Sequence, residues 1–191
     1  MQIEAQSLDE LFIQTEAKIS DRVLWFGVEG SWRKSNQEIK QAVQESVRGI
    51  YDHGHGIVTG GALGVDFFAT EEALILDPMA KFIKIFLPVT LERYAIHYYK
   101  RANEGVVTLI QVEKLIEQLG EVRRRNQSAL IENTVNVFVD PITYLERNTE
   151  IINASDALLG FLVNESEGTS DAINKAVAQG KPVFVRKYSI G

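Results

Sequence analysis

The sequence predicts an α/β fold, a three-layer sandwich with a mostly parallel central sheet. Three observations predict it. Short apolar runs recur at 23–28, 57–59, 82–87, 157–163 and 183–185. Most are followed by a stretch with helical spacing of its apolar residues. The run 23–28 is continuously apolar, which suits a strand buried on both faces of a parallel sheet. Strands alternating with helices build parallel sheets covered on both sides.

Each element has its own justification. Leu8, Leu11, Phe12, Thr15 and Ile19 sit at helical spacing, so residues 1–20 are expected to carry a peripheral helix. The run 23–28 is the first strand. A loop, Glu29-Gly30-Ser31-Trp32-Arg33, leads to a helix from about Ser35, with Ser35 as N-cap and Glu38 completing a capping box. Ile39, Ala42, Val43, Ser46, Val47 and Ile50 form its apolar stripe. After 57–59 a glycine turn opens a helix over 66–76. The run 82–87 is stopped by Pro88. Residues 91–134 read as a helical insertion, with pieces at 106–120 and 121–133. Residues 135–139 are a short strand or an extended loop, and 143–154 a helix. The run 157–163 is followed by a helix opening at Glu167-Gly168-Thr169-Ser170-Asp171 and ending at Gly180, a suitable residue to follow a helix. Residues 183–185 close the pattern.

The stretch Ile57-Val58-Thr59-Gly60-Gly61-Ala62-Leu63-Gly64-Val65-Asp66 is the most informative. A strand running through a glycine turn into a helix points backbone N–H groups at an anion. No Walker lysine follows, and the spacing is not that of the dinucleotide fingerprint. Ligands of open parallel sheets sit outside the carboxyl ends of the strands. The loops 27–33, 60–66 and 164–171 are expected to converge on that edge. They nominate a phosphate site made of Gly30, Ser31, Arg33, Thr59, Gly60, Gly61, Gly64, Gly168, Thr169 and Ser170. Candidate carboxylates there are Glu29, Asp66, Glu150, Glu167 and Asp171, with Asp66 and Asp171 placed where they also favour a helix start. Arg147 is a candidate phosphate clamp, and Trp32, Tyr94, Tyr98 and Tyr99 are candidate base-stacking rings.

Composition narrows the class. The 191 residues, 45% hydrophobic and 24% charged, fit one globular domain over 1–191. The absence of cysteine excludes a disulfide framework, a thiolate metal site and a cysteine nucleophile. His53 and His55 flank Gly54, with His97 far off in sequence, and neither a metal nor another cofactor is expected. The first residues show no basic-then-apolar leader, and no apolar run approaches the ~20 residues of a membrane span, so a cytoplasmic location without membrane contact is expected. The net charge is −6, which makes DNA an unlikely partner on electrostatic grounds. Arg123-Arg124-Arg125 is the single basic run, and on a helix its members point in different directions.

Three segments resemble the SLOG superfamily of Rossmann-like proteins. They are Val58-Thr59-Gly60-Gly61-Ala62-Leu63-Gly64-Val65-Asp66, Glu146-Arg147-Asn148-Thr149-Glu150-Ile151, and Glu167-Gly168-Thr169-Ser170-Asp171-Ala172 followed by Gln179-Gly180-Lys181-Pro182-Val183. That superfamily includes the LOG-type nucleotide phosphoribohydrolases, the DprA/Smf DNA-processing proteins and the YpsA-like proteins. The resemblance covers roughly 21–187 and implies a Rossmann-like nucleotide-binding domain that binds a nucleotide or another phosphorylated small molecule. It implies a site arginine at Arg147, and a homodimer, for which the helices of 91–134 offer a contact surface. Asn148 stands where LOG-type chains have a lysine, and Ala172 where they have the catalytic glutamate, with Asp171 adjacent. Gly30-Ser31-Trp32-Arg33 resembles the Gly-Ser-Arg loop of DprA-like chains with one residue added.

The expected function is therefore binding of a nucleotide or nucleotide-sugar phosphate. Two alternatives stand beside it. One is LOG-like hydrolysis of the N-glycosidic bond of a nucleoside 5′-monophosphate, with Arg147, Asp171 and Asp66 as catalytic residues. The other is a DprA-like role in DNA processing.

Overall fold

The computed structural model describes residues 4–18 and 22–191. Seven strands form one sheet: β1 (Glu4–Ala5), β2 (Trp25–Gly30), β3 (Gly56–Thr59), β4 (Ile83–Leu87), β5 (Leu130–Glu132), β6 (Ala157–Val163) and β7 (Val183–Tyr188). Their order across the sheet is β1-β7-β6-β2-β3-β4-β5, and every pairing is parallel. Between them run α1 (Leu8–Glu16), α2 (Gln37–Asp52), α3 (Val65–Leu76), α4 (Leu91–Asn103), α5 (Leu109–Arg125), α6 (Pro141–Ala154) and α7 (Glu167–Ala178). The α/β Rossmann-like architecture expected from the sequence is found.

The apolar runs become central strands because both faces of the sheet are covered. One core, with Phe26, Val28, Ile57, Ile83 and Ile85 among its buried strand residues, packs against α2, α3 and α5. A second, smaller core joins Ile152 of α6, Leu158 of β6, Ala172 and Ala176 of α7, and Val183 of β7. Each fully buried Leu, Ile or Phe contributes on the order of 1.5–3 kcal/mol.

Several boundaries differ from the expectation. The cap of α2 is Asn36, whose side chain accepts from the Ile39 N–H at 2.9 Å, one residue beyond Ser35. The helix expected over 121–133 is not there: α5 continues unbroken to Arg125, a short 3-10 turn covers Gln127–Ala129, and β5 then pairs with β4. The 91–134 segment is therefore a crossover that adds a strand, not only a helical insertion. Residues 135–139 form a loop, with Val135 and Phe138 exposed. Within 1–20, α1 is shorter than the pattern suggested, and Glu4–Ala5 adds an edge strand to β7. Ile19, counted in that pattern, lies outside the described residues.

Candidate functional site

The chain steps outward from β2 through β3 and β4 to β5, then α6 carries it back to β6 on the other side of β2. This reversal opens a crevice outside the carboxyl ends of β2 and β6, where ligands of such sheets bind. Four groups meet there: the end of β2, the glycine turn before α3, the middle of α6 and the start of α7.

Glu29 forms the floor. A Cβ at the next residue, Gly30, would collide with Val65 of α3, so Gly30 faces α3 and Glu29 faces the opposite side. Glu29 is 4% exposed, and its Oε1 has no hydrogen-bond partner.

The glycine turn holds an anion of the protein's own. Asp66, in the first turn of α3, is buried, and its Oδ2 accepts from the Ala62 N–H at 3.1 Å. The turn closes because Gly64 has φ +73°, and any Cβ there would strike the Ser31 carbonyl oxygen. Gly60 is needed for a different close approach. Arg147 Nη1 donates to the Gly60 carbonyl at 2.7 Å, and a Cβ at Gly60 would overlap the guanidinium.

Arg147 projects from α6 into this centre. Its Nη1 lies 3.9 Å from Asp66 Oδ2, its Nη2 donates to Asn148 Oδ1 at 3.0 Å, and its Nε has no partner. The Tyr144 ring lies beneath the guanidinium at 5.2 Å. Asn148, at the position of the LOG-type lysine, ties α6 to α7: its Nδ2 donates to the Gly168 carbonyl at 3.1 Å and to Asp171 Oδ2 at 3.0 Å. Lys175 holds the same Asp171 oxygen at 2.7 Å.

Burial sets the charges. Desolvation, reinforced by the nearby Asp66 carboxylate, pushes the Glu29 carboxyl well above the usual range, and Arg147 only partly offsets this. Asp66 is also raised by burial, against the opposing pull of Arg147 and the Ala62 N–H. Arg147 remains a cation: burial opposes its charge, but the Asp66 carboxylate 3.9 Å away favours it. The centre thus holds one guanidinium and two carboxyls, of which Glu29 is the better placed to keep its proton.

Above this floor lies a cavity of about 550 Å³. Of the residues expected from the sequence, Gly30, Arg33, Asp66, Arg147, Gly168 and Thr169 line it. Ser31, Thr59, Gly60, Gly61, Gly64, Ser170 and Asp171 stand outside the lining. Ser31 Oγ accepts from the Lys34 N–H at 3.3 Å, and Gly61 turns toward the side chains of Ile85 and Leu87. Asp171 is the fifth residue of α7, not in its first turn, and faces Asn148 and Lys175. Glu150 lines a different cavity, beside Glu132 and Glu146. Of the candidate rings, Tyr94 is buried and packs edge-on against Tyr98 at 5.0 Å, while Trp32 and Tyr98 reach the cavity.

Among the lining residues, Arg101 of α4 and Tyr144 of α6 were not singled out from the sequence, while His97 of α4 had been considered only as a metal ligand and Asn148 of α6 only as the residue at the LOG-type lysine position. Glu29 was named only as one carboxylate among five. An acidic residue ending an otherwise apolar strand is the signal that marks it. At the rim, the first turn of α7 has no side-chain cap, so its leading N–H groups remain available beside Gly168 and Thr169. Among the described residues no group of three or more metal-ligating side chains could hold a metal ion. No described helix is long and apolar enough to cross a membrane.

No protein-family model matches the chain, and no curated protein matches it. Solved structures do. DNA processing protein A from Helicobacter pylori, described for its single-stranded DNA binding mode, superposes with TM-score 0.61 at 23% identity, over 85% of this chain and 64% of that one. DNA processing protein A from Streptococcus pneumoniae matches with TM-score 0.57 at 17% identity, over 85% of this chain and 50% of that one. The structural-genomics target TM1055 matches with TM-score 0.51 at 16% identity, over 84% of this chain and 72% of that one. The chain spans between half and two thirds of the two DNA processing proteins. At these identities the likeness concerns the fold, and it agrees with the SLOG resemblance of the sequence.

One expectation is corrected by this comparison. A net charge of −6 was taken to make DNA an unlikely partner, yet a protein described by its single-stranded DNA binding has this fold. Whole-chain charge averages over the surface and does not report the crevice, which three arginines line: Arg33, Arg101 and Arg147.

Proposed function

We propose that the chain binds a nucleotide in the crevice outside β2 and β6. One observation carries this reading. Glu29 Oε1, Asp66 Oδ1 and Arg147 Nε are buried without a hydrogen-bond partner, and the three residues line a single cavity. Buried polar atoms are seldom left unpaired, because each costs about 1–3 kcal/mol. A ligand bearing hydroxyls satisfies such a set: the carboxyls accept from or donate to the hydroxyls, and the guanidinium N–H donates.

The rest of the cavity fits the remaining parts of a nucleotide. Trp32, Tyr98 and Tyr144 offer apolar wall for a base. Arg33, Arg101 and the uncapped start of α7 offer cationic and N–H partners for a phosphate. The volume lies within the ~300–1,000 Å³ of small-molecule sites. The reading is of binding. The carboxylate nearest the LOG-type catalytic position, Asp171, is occupied by Asn148 and Lys175.

A second reading is binding of single-stranded DNA, favoured by the fold shared with the Helicobacter pylori protein. A thermal-shift series separates the two, using AMP, ribose 5-phosphate and a single-stranded oligodeoxynucleotide. Saturation at 100 times the dissociation constant adds about 2.7 kcal/mol, a rise of roughly 5–10 °C for a chain of this size. A rise with AMP that Arg33→Ala diminishes supports the nucleotide reading. A rise with the oligonucleotide alone replaces it with the DNA reading, and no rise with any of them overturns both.

A further inference from the structure

The nucleotide cavity does not end at its rim. A second hollow of about 300 Å³ adjoins it, and both are lined by Trp32, Arg33 and Arg101. The far side of this hollow is Leu63, Val106, Val107 and Gln111. The two spaces are thus separated by a ridge that carries two guanidiniums. We propose that the ligand has two lobes: one nucleoside unit in the larger cavity, a phosphate-bearing link on Arg33 and Arg101, and a second unit in the smaller hollow. This rests on the nucleotide reading above and names the class of nucleotide.

The ridge is suited to a bridging phosphate. The Arg33 guanidinium lies over the Trp32 ring at 4.7 Å, which steadies it while leaving its N–H edge accessible. Arg101 is steadied by Glu104, which takes its Nη1 at 2.7 Å. An arginine fork has further N–H donors for phosphate oxygens. The two cations come from separate elements, the loop after β2 and the end of α4, so a phosphate between them is approached from two sides.

The smaller hollow suits a base or sugar. Val106 and Val107 give it an apolar wall, and Val106 is 42% exposed, so that wall lacks a partner from the chain. Gln111 supplies a polar group. Its Oε1 is taken by the Thr108 capping box at 2.8 Å and 3.0 Å, which leaves the amide NH₂ as a donor. One apolar wall and one directed donor is the usual make-up of a small-molecule subsite.

Two sources share this chemistry: a soluble dinucleotide joined through pyrophosphate, and a phosphodiester step within a strand. Titration calorimetry with AMP, diadenosine pyrophosphate and the phosphodiester ApA compares them. Joining two units that both find a site raises affinity, here by at least about tenfold over AMP. Val106→Trp fills the smaller hollow and is expected to abolish that gain while leaving AMP affinity unchanged. A gain with diadenosine pyrophosphate identifies the soluble class, and a gain with ApA alone identifies a strand step. Equal affinity for AMP and both two-unit ligands overturns the inference and leaves the nucleotide reading intact. So does a gain that survives Val106→Trp. Binding of none of the three overturns the nucleotide reading itself.

Discussion

Arg147 Nη1 donates to the carbonyl oxygen of Gly60 at 2.7 Å, joining α6 to the glycine turn across 87 residues of sequence. The glycine is required by the arginine, because a Cβ at 60 would occupy the space of the guanidinium. A phosphate-cradle reading of this turn assigns its glycines to the ligand. In the structure the turn is filled from within, by Arg147 on one carbonyl and Asp66 on one N–H.

Gly60→Ala is therefore expected to displace Arg147. The overpacking costs about 1–3 kcal/mol in a denaturant titration. A ligand-induced rise in melting temperature, if Arg147 supports the site, falls with it. Unchanged stability and unchanged ligand response would show that the guanidinium moves aside freely.

Removing the arginine has a larger effect, and an uneven one. Arg147→Ala leaves the Asp66 charge buried without its cation, which costs about 3–5 kcal/mol. Asp66→Asn in the same background removes the stranded charge and is expected to restore part of that loss. A double-mutant cycle by urea denaturation measures the coupling. Additive effects would mean that the 3.9 Å approach carries no energetic coupling.

Glu29 links stability to pH. Its folded-state carboxyl is raised well above its ordinary value of 4.5 by burial and by Asp66. The folded chain therefore binds more protons than the unfolded chain above that value, so stability falls as pH rises through the window. Its favourable contribution is fully present below about pH 4.5 and is lost toward the raised value. Glu29→Gln keeps the neutral shape. The variant should gain stability over the parent at pH 8, with the difference shrinking toward pH 5, as followed by thermal melts. Parallel pH curves for the two chains would place Glu29 in an ionised state throughout.

Gly64 is the strictest backbone position in the site. Its φ of 73° and ψ of −126° suit glycine alone, and Ser31 O stands where a side chain would begin. Gly64→Ala should cost at least about 2 kcal/mol, while Gly168→Ala, in α7 with nothing within 4 Å of the added Cβ, should be neutral or stabilising by up to about 1 kcal/mol. Equal losses at the two sites in matched chemical denaturations would contradict this ordering.

The legible part of this fold came from long, consistent patterns. The run 157–163 is β6 with the same bounds, and 57–59 is β3 with one residue added. These segments are buried on both faces, so nearly every residue reports the same environment. β5 was misread because three residues, Leu130–Glu132, are too few to show a period, and the helical composition before them runs on without a break. β1 is two residues long and exists only because β7 lies beside it. The site was legible in outline. Three loops were expected at one edge, and residues from each line one cavity. Its interior was not, because α6 arrives from far along the chain and its side chains decide what the glycine turn can hold.

From the sequence alone follow the α/β class and the edge where the loops gather. These rest on local periodicity and on the chain order of strands and helices, which are properties of short segments, whereas Arg147 was expected at that edge only through the resemblance to LOG-type chains. Only the tertiary structure decided that Glu29 is buried without a partner, that Asp66 fills the glycine turn and that Asp171 turns away to Asn148 and Lys175. Burial and pairing depend on which distant residues are brought within a few ångströms. A carboxylate's charge and accessibility are set by those neighbours rather than by its place in the chain.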